Sequence, residues 1–174
     1  AASIMSTSGF AISDFNLWPW FSKMVLLLLM FVGACAGSTG GGIKIVRILI
    51  GTKLARRGVQ RAIHPQQVKC IHIDGEPVDE DTCGSVSAFL LVYALLFAAL
   101  LVLLALEGLD FTTTFSAAAS CFNNVGPGLG LVGPMSNYTC FSWFGKLLLS
   151  FAMLFGRLEL YPMLLLFIPA AWRK

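Results

Sequence analysis

Asp110-Phe111-Thr112-Thr113-Thr114-Phe115-Ser116-Ala117-Ala118-Ala119-Ser120-Cys121-Phe122-Asn123-Asn124-Val125-Gly126-Pro127-Gly128 is too polar to cross a membrane and too apolar to be an ordinary loop. Asp110 is suited to cap a short helix over 112–122. The run 123–128, with its two asparagines, two glycines and a proline, cannot continue that helix. On either side lie apolar segments of spanning length, 85–106 before it and 143–172 after it. A short helix followed by a glycine-bearing extended segment between two spans is the pattern of a re-entrant loop. The partially negative C-terminal end of such a helix favours a cation. Successive carbonyls beyond it can replace an ion's hydration shell, and a glycine permits the backbone angles that aim them.

The composition agrees with a membrane setting. The chain has 174 residues, 57% hydrophobic and 12% charged, whereas a soluble domain carries about a quarter charged residues. Lys44, Arg47, Lys53, Arg56, Arg57, Arg61 and Lys69 fall in one segment, and Arg173 and Lys174 close the chain. Basic loops stay on the cytoplasmic side, which assigns 51–84 and the C-terminus there. Orientation explains this basic run better than nucleic-acid binding does, and no nucleic-acid partner is expected.

Upstream, 1–20 contains Ser6-Thr7-Ser8-Gly9-Phe10 and ends in Trp18-Pro19-Trp20, whose aromatic rings and proline mark a membrane boundary before a helix. The span that follows, 21–36, runs into Cys35-Ala36-Gly37-Ser38-Thr39-Gly40-Gly41-Gly42-Ile43-Lys44. Its 22–36 portion covers about 22 Å at the helical rise, against a hydrocarbon core of about 30 Å. The glycine cluster is therefore expected within the bilayer's depth, where irregular backbone survives only when buried in protein or lining a watery cavity. It is not a phosphate-binding loop: Ile43 separates Gly42 from Lys44, and Ile45 stands where a hydroxyl is needed. A basic helix over 43–54 is expected to leave the membrane.

The two halves of the chain resemble each other. Phe21-Ser22-Lys23-Met24 aligns with Phe144-Gly145-Lys146-Leu147, and the same offset sets Gly33 against Gly156. Allowing for loop length, Thr7-Ser8-Gly9-Phe10 falls against Asn124-Val125-Gly126-Pro127. Each half reads as an extended glycine segment, a loop and a lysine-started span, so a pore or transporter built from copies is expected. The carbonyls of Thr7, Ser8 and Gly9, with Asn124, Val125 and Gly126, are the candidate cation ligands. One unit supplies one wall, and four are needed to surround an ion. Arg157 and Glu159 are costly inside a span and mark a pathway, or pair with a neighbouring helix.

Five scattered cysteines show no disulfide framework, and Cys70 with His72 is a poor metal pair because the surrounding alternation reads as a strand. The alternation at 68–73 leads into Asp74-Gly75, so a small hairpin is expected in the 58–84 linker. No nucleophile and base are paired, and the chain is read as a non-enzyme. It starts in the middle of an element and is expected to be the C-terminal part of a longer protein.

The glycine cluster, the run Asn123-Asn124-Val125-Gly126-Pro127-Gly128 and Gly156-Arg157-Leu158-Glu159 together closely resemble the TrkH/TrkG type of the Trk/Ktr/HKT potassium-transport family. The resemblance implies an all-α integral membrane fold of repeated outer helix, re-entrant pore loop and inner helix. Residues 1–57 would end the third repeat, with filter 6–10 and a broken inner helix over 21–54. Residues 85–174 would form the fourth repeat, with outer helix 85–106, pore helix 112–122, filter 123–128 and inner helix 143–172. Asn123 joins the filter residues by the same likeness. Gly37, Ser38, Thr39, Gly40, Gly41 and Gly42 would form an intramembrane gate faced by Arg157. The transported ion would be potassium, held at filter residues only, with no organic cofactor. The likeness also implies a cell-membrane location in the lipid bilayer, a homodimer, and control by a cytosolic nucleotide-binding ring of the TrkA type. A non-transporting membrane scaffold, with glycines serving helix packing, is the alternative.

Overall fold

Six α-helices, three 3-10 turns and one small antiparallel strand pair are the regular elements of the described part of the chain, which comprises residues 1–33, 40–63, 71–73 and 76–157 of a computed structural model. The central helix is α4, Glu80–Ala105. Its 26 residues rise about 39 Å, enough to cross a hydrocarbon core. Asp79 takes its N-cap position, and Glu80 and Asp81 meet the positive end of the helix dipole. The helix therefore begins five residues before the expected 85. The described residues contain this one helix long and apolar enough to cross a membrane, and α2, Trp20–Phe31, is a shorter apolar helix.

The short helix α5, Phe111–Phe122, is the most buried element. The Asp110 carboxylate accepts from the Thr112 N–H at 3.2 Å, satisfying one of the free donors at the helix start. Ala117, Ala118 and Ala119 are completely buried, and their small side chains let α4 and α6, Trp143–Arg157, close upon α5. Aromatic edges fill the remaining space. Phe97 of α4 meets Phe115 at 5.6 Å and Phe31 of α2 at 5.2 Å, while Tyr93 meets Phe122 at 4.9 Å. Each such pair adds about 0.5–1.5 kcal/mol beyond area burial.

A second core joins the two halves. Ile4 of α1, Ala2–Met5, packs with Phe15, Leu26 and Met30 against Val125 and Leu129. The Asn16 carboxamide also accepts from the Gly130 N–H and donates to the Gly130 carbonyl, both at 3.0 Å. Ser116 of α5 holds the returning chain by accepting from the Leu129 N–H at 2.9 Å.

The broken span ends sooner than expected. Helix α2 stops at Phe31 rather than near 36, because Val32 turns to extended backbone and pairs with Ile43. The Ile43 N–H donates to Phe31 at 3.1 Å, and the Gly33 N–H donates to Ile43 at 2.9 Å. These two bonds form a neck that closes the glycine-rich excursion where it leaves and rejoins the helical path. The following helix, α3, runs Ile45–Ile63, well beyond the expected 54 and into the region read as linker. Arg57 explains the extension: it is buried and ion-paired with Glu80, so this turn of α3 is held against the start of α4. Gly58 costs a helix about 1 kcal/mol, and α3 nevertheless runs on through it. Lys53 Nζ donates to the His72 carbonyl at 2.6 Å, tying α3 to the strand pair β1, His72–Ile73, and β2, Glu76–Pro77. Asp74 and Gly75 lie outside the described residues, as do 64–70.

At the opposite end of α4, Glu107 reaches across to the start of α6. One carboxylate oxygen accepts from the Ser142 N–H at 3.0 Å and the other from the Ser142 hydroxyl. The Ser142 hydroxyl, then its N–H, holds the Glu107 carboxyl below the usual carboxylate range. A depressed value stabilises the fold above the unfolded-chain value of about 4.3, and this contribution disappears as pH falls through the lower folded value. Glu107→Gln is therefore expected to lower the melting temperature at neutral pH and to lose its deficit against the parent protein in acid, as checked by a melting series from pH 7 downward.

Candidate functional site

Two stretches far apart in sequence share one backbone conformation. Thr7 has φ 54° and Gly9 φ 72°, while Asn124 has φ 56° and Gly126 φ 104°. The left-handed residues thus alternate with others in both, and non-glycine residues adopt this region rarely. The hydrogen bonds that force the alternation repeat as well. Ser6, Thr7 and Ser8 donate their N–H groups to Ala2, Ile4 and Ser3, and Asn123, Asn124 and Val125 donate to Ala119, Cys121 and Ser120. Every pair in the second set is displaced from the first by one constant offset. Each stretch is therefore built by a helix end whose last amides fold back onto the preceding turn.

The stretches lie side by side. A Cβ placed on Gly9 would stand 2.4 Å from the Val125 carbonyl oxygen. Side chains in the second stretch are occupied in anchoring it. Asn123, fully buried, accepts from the Tyr93 hydroxyl at 2.7 Å and donates to the Ala119 carbonyl at 2.8 Å. Asn124 donates to the Met153 carbonyl of α6 at 3.1 Å. Val125 points into the core shared with Ile4. The main-chain carbonyls are the groups left over: among the described residues, none donates a hydrogen bond to the carbonyl of Thr7, Ser8, Gly9, Asn123, Asn124 or Val125. Gly126 differs, since its carbonyl accepts from the Tyr138 hydroxyl at 2.6 Å. Asn123 and Val125 are buried, Thr7, Gly9 and Asn124 are half-buried and Ser8 is exposed; an unpartnered carbonyl away from water demands a donor or a cation.

The glycine-rich segment and α6 meet the same place. A Cβ on Gly41 would fall 2.2 Å from the Asn123 carbonyl oxygen and 3.1 Å from Asn124 Cβ. A Cβ on Gly156 would fall 2.0 Å from the Phe122 carbonyl oxygen and 2.7 Å from Asn124 Nδ2. Gly42, with φ 81°, lies beside the Asn123 carboxamide, and Gly40 also falls in the described part. Gly37, Ser38 and Thr39 lie outside the described residues, as does Glu159. Arg157 follows Gly156 directly and is exposed at the described end of α6. The span expected over 143–172 is described as far as this residue.

Sequence reasoning missed Tyr93, Tyr138 and the Phe31–Ile43 neck. Tyr93 stands as a hydroxyl within an apolar span, a signal that was available in isolation, but nothing local pairs it with Asn123. Tyr138 sits in a polar loop without any distinguishing pattern.

A helical chain of this apolarity, with two carbonyl-bearing stretches set against each other, is of the membrane-protein class. A family model described as "Cation transport protein" (TrkH) matches residues 1–174, and the chain belongs to that family. It is similar to the Trk system potassium uptake protein TrkH of Vibrio parahaemolyticus, 40% identical over 172 residues, which are 99% of this chain and 35% of that protein. The Trk system potassium uptake protein TrkG of Escherichia coli is 35% identical over 174 residues, 100% of this chain and 36% of that protein. Among solved structures, the crystal structure of the potassium transporter TrkH from Vibrio parahaemolyticus superposes with a TM-score of 0.86 at 39% identity, covering 98% of this chain and 36% of that one. The chain spans about a third of the length of the curated relatives it matches.

Proposed function

We propose that this chain supplies half of the wall of a potassium-uptake pore, with the ion moving passively through a filter of main-chain carbonyls. The observation that carries the reading is the repeated left-handed alternation at Thr7–Gly9 and Asn124–Gly126, together with the carbonyls of Thr7, Ser8, Gly9, Asn123, Asn124 and Val125, which accept nothing from the described residues. Helix α5 ends at Asn123, so its partially negative terminus adds to the attraction for a cation. Carbonyl oxygens suit potassium because they replace its water shell without a fixed charge that would retain it. On this reading α4 is an outer helix, α5 a pore helix, and α2 with α3 an inner helix interrupted by the gating glycines 37–42. Arg157 is assigned to the gate, a reading supported by Gly156 and Gly41 abutting adjoining residues, Phe122 and Asn123–Asn124. The remaining repeats of the longer chain complete the ring around one pore, and two such chains form a homodimer within the cell membrane. The basic face of α3 and the strand pair lie on the cytoplasmic side, toward a nucleotide-binding regulatory ring of the TrkA type.

The test uses the full-length protein in proteoliposomes. Potassium flux down its gradient is expected in the parent protein, together with growth rescue of an uptake-deficient host at low potassium. Deleting 37–42 is expected to raise flux without any regulatory subunit, and Arg157→Ala to raise it to a smaller extent. A parent protein that neither conducts nor rescues would remove the transport reading. Conduction unchanged by both alterations would remove the gate.

A further inference from the structure

Tyr138 is held in a defined place. It opens a 3-10 turn, Tyr138–Cys140, whose N-cap Asn137 accepts from the Thr139 N–H at 3.3 Å and from the Thr139 hydroxyl. Its ring stacks on Phe141 with centroids 6.1 Å apart and an interplanar angle of 26°, and Phe141 is itself 2% exposed. The next residue, Ser142, is bound by Glu107, so the turn is fixed from both ends. From this mount the Tyr138 hydroxyl reaches the Gly126 carbonyl at 2.6 Å and lies against Ser120 and Cys121 of α5. Gly126, at φ 104° and exposed, is where the second stretch has the least to restrain it: no side chain, no core contact, and a conformation that glycine leaves freely. Asn124 and Val125 are tied by a carboxamide and a buried isopropyl group. The first stretch has no counterpart, since among the described residues no hydroxyl donates to the Gly9 carbonyl.

We infer that Tyr138 is a positioning residue that clamps the Gly126 carbonyl and thereby sets how sharply the end of the carbonyl filter discriminates potassium from sodium. The inference rests on the transport reading above. A carbonyl that rotates freely adjusts to either ion, whereas one fixed by a donor on a rigid mount keeps the spacing suited to the larger. A hydrogen bond contributes about 0.5–1.5 kcal/mol net, and about 1.4 kcal/mol is tenfold in an equilibrium.

The experiment compares potassium and sodium flux through the full-length protein in proteoliposomes. Tyr138→Phe keeps the stacked ring and removes the hydroxyl. It is expected to lower the potassium-to-sodium flux ratio about two- to tenfold, mainly by raising sodium flux, with the melting temperature in detergent little changed. Phe141→Leu, which leaves the hydroxyl but loosens its mount, is expected to shift the ratio the same way by less. If Tyr138→Phe proves unstable, Phe141→Leu alone decides. A ratio equal to the parent's in the folded variants would overturn the clamp. The two failures are distinguishable: a parent protein that carries no potassium removes the transport reading, while a selective parent with an equally selective Tyr138→Phe removes this inference alone.

Discussion

Gly41→Ala is expected to raise potassium flux through the full-length protein, in the absence of any regulatory subunit, by about fivefold or more. The new methyl group would stand 2.2 Å from the Asn123 carbonyl oxygen and 2.7 Å from its carbon, inside any contact that real side chains make. One side has to move. Asn123 is tied to Tyr93 and twice to Ala119, and Asn124 is tied to Met153, so the end of α5 is the stiffer partner. The glycine segment yields instead, away from the carbonyls it covers. Overpacking of this kind costs about 1–3 kcal/mol, and if that cost falls on the closed arrangement it shifts a closed-to-open equilibrium by about 5- to 150-fold. Flux assays with the purified protein check it. Unchanged or reduced flux would show that Gly41 does not cover a conducting path.

Gly156→Ala has the opposite sign. Here the methyl group would fall 2.0 Å from the Phe122 carbonyl oxygen and 2.7 Å from Asn124 Nδ2. Both contacts belong to the structure that holds the stretch Asn123–Gly126, and α6 carries the Met153 carbonyl that Asn124 uses. Pushing α6 off the end of α5 therefore breaks that anchor and opens the core around Ala152 and Leu149. A loss of about 1–3 kcal/mol is expected, seen as a lower melting temperature in detergent, together with at least a tenfold loss of potassium flux. A variant as stable and as active as the parent would mean that α6 can slide to accept the methyl group, so that the anchor is not needed.

These two glycines show where sequence reasoning reached its limit. The sequence marked Gly41 as part of a cluster that interrupts a helix, and it paired Gly156 with Gly33 through the repeat. Neither observation tells what each glycine touches. The broken helix itself was legible, but its end was misplaced near 36, because the isolated bridge of Val32 with Ile43 that ends α2 at Phe31 joins residues eleven positions apart across the glycines. The length of α3 was underestimated for a similar reason. Arg57 reads as one more basic residue in a solvated run until Glu80 is seen beside it.

By itself the sequence determined the membrane class, the helix capped by Asp110, the failure of that helix at Asn123, and the kinship of the segments around Gly9 and Gly126. Each of these follows from apolarity, backbone propensity or a short repeat, which act over a few neighbouring residues. Only the tertiary structure decided that Asn16 would grip Gly130 across 114 positions, that Tyr93 and Tyr138 would brace the second stretch at its two ends, Asn123 and Gly126, and that Gly41 and Gly156 would converge on the end of α5. Those choices depend on how helices pack around a shared core, where a single hydroxyl or a missing methyl group is selected by a partner that no local pattern identifies.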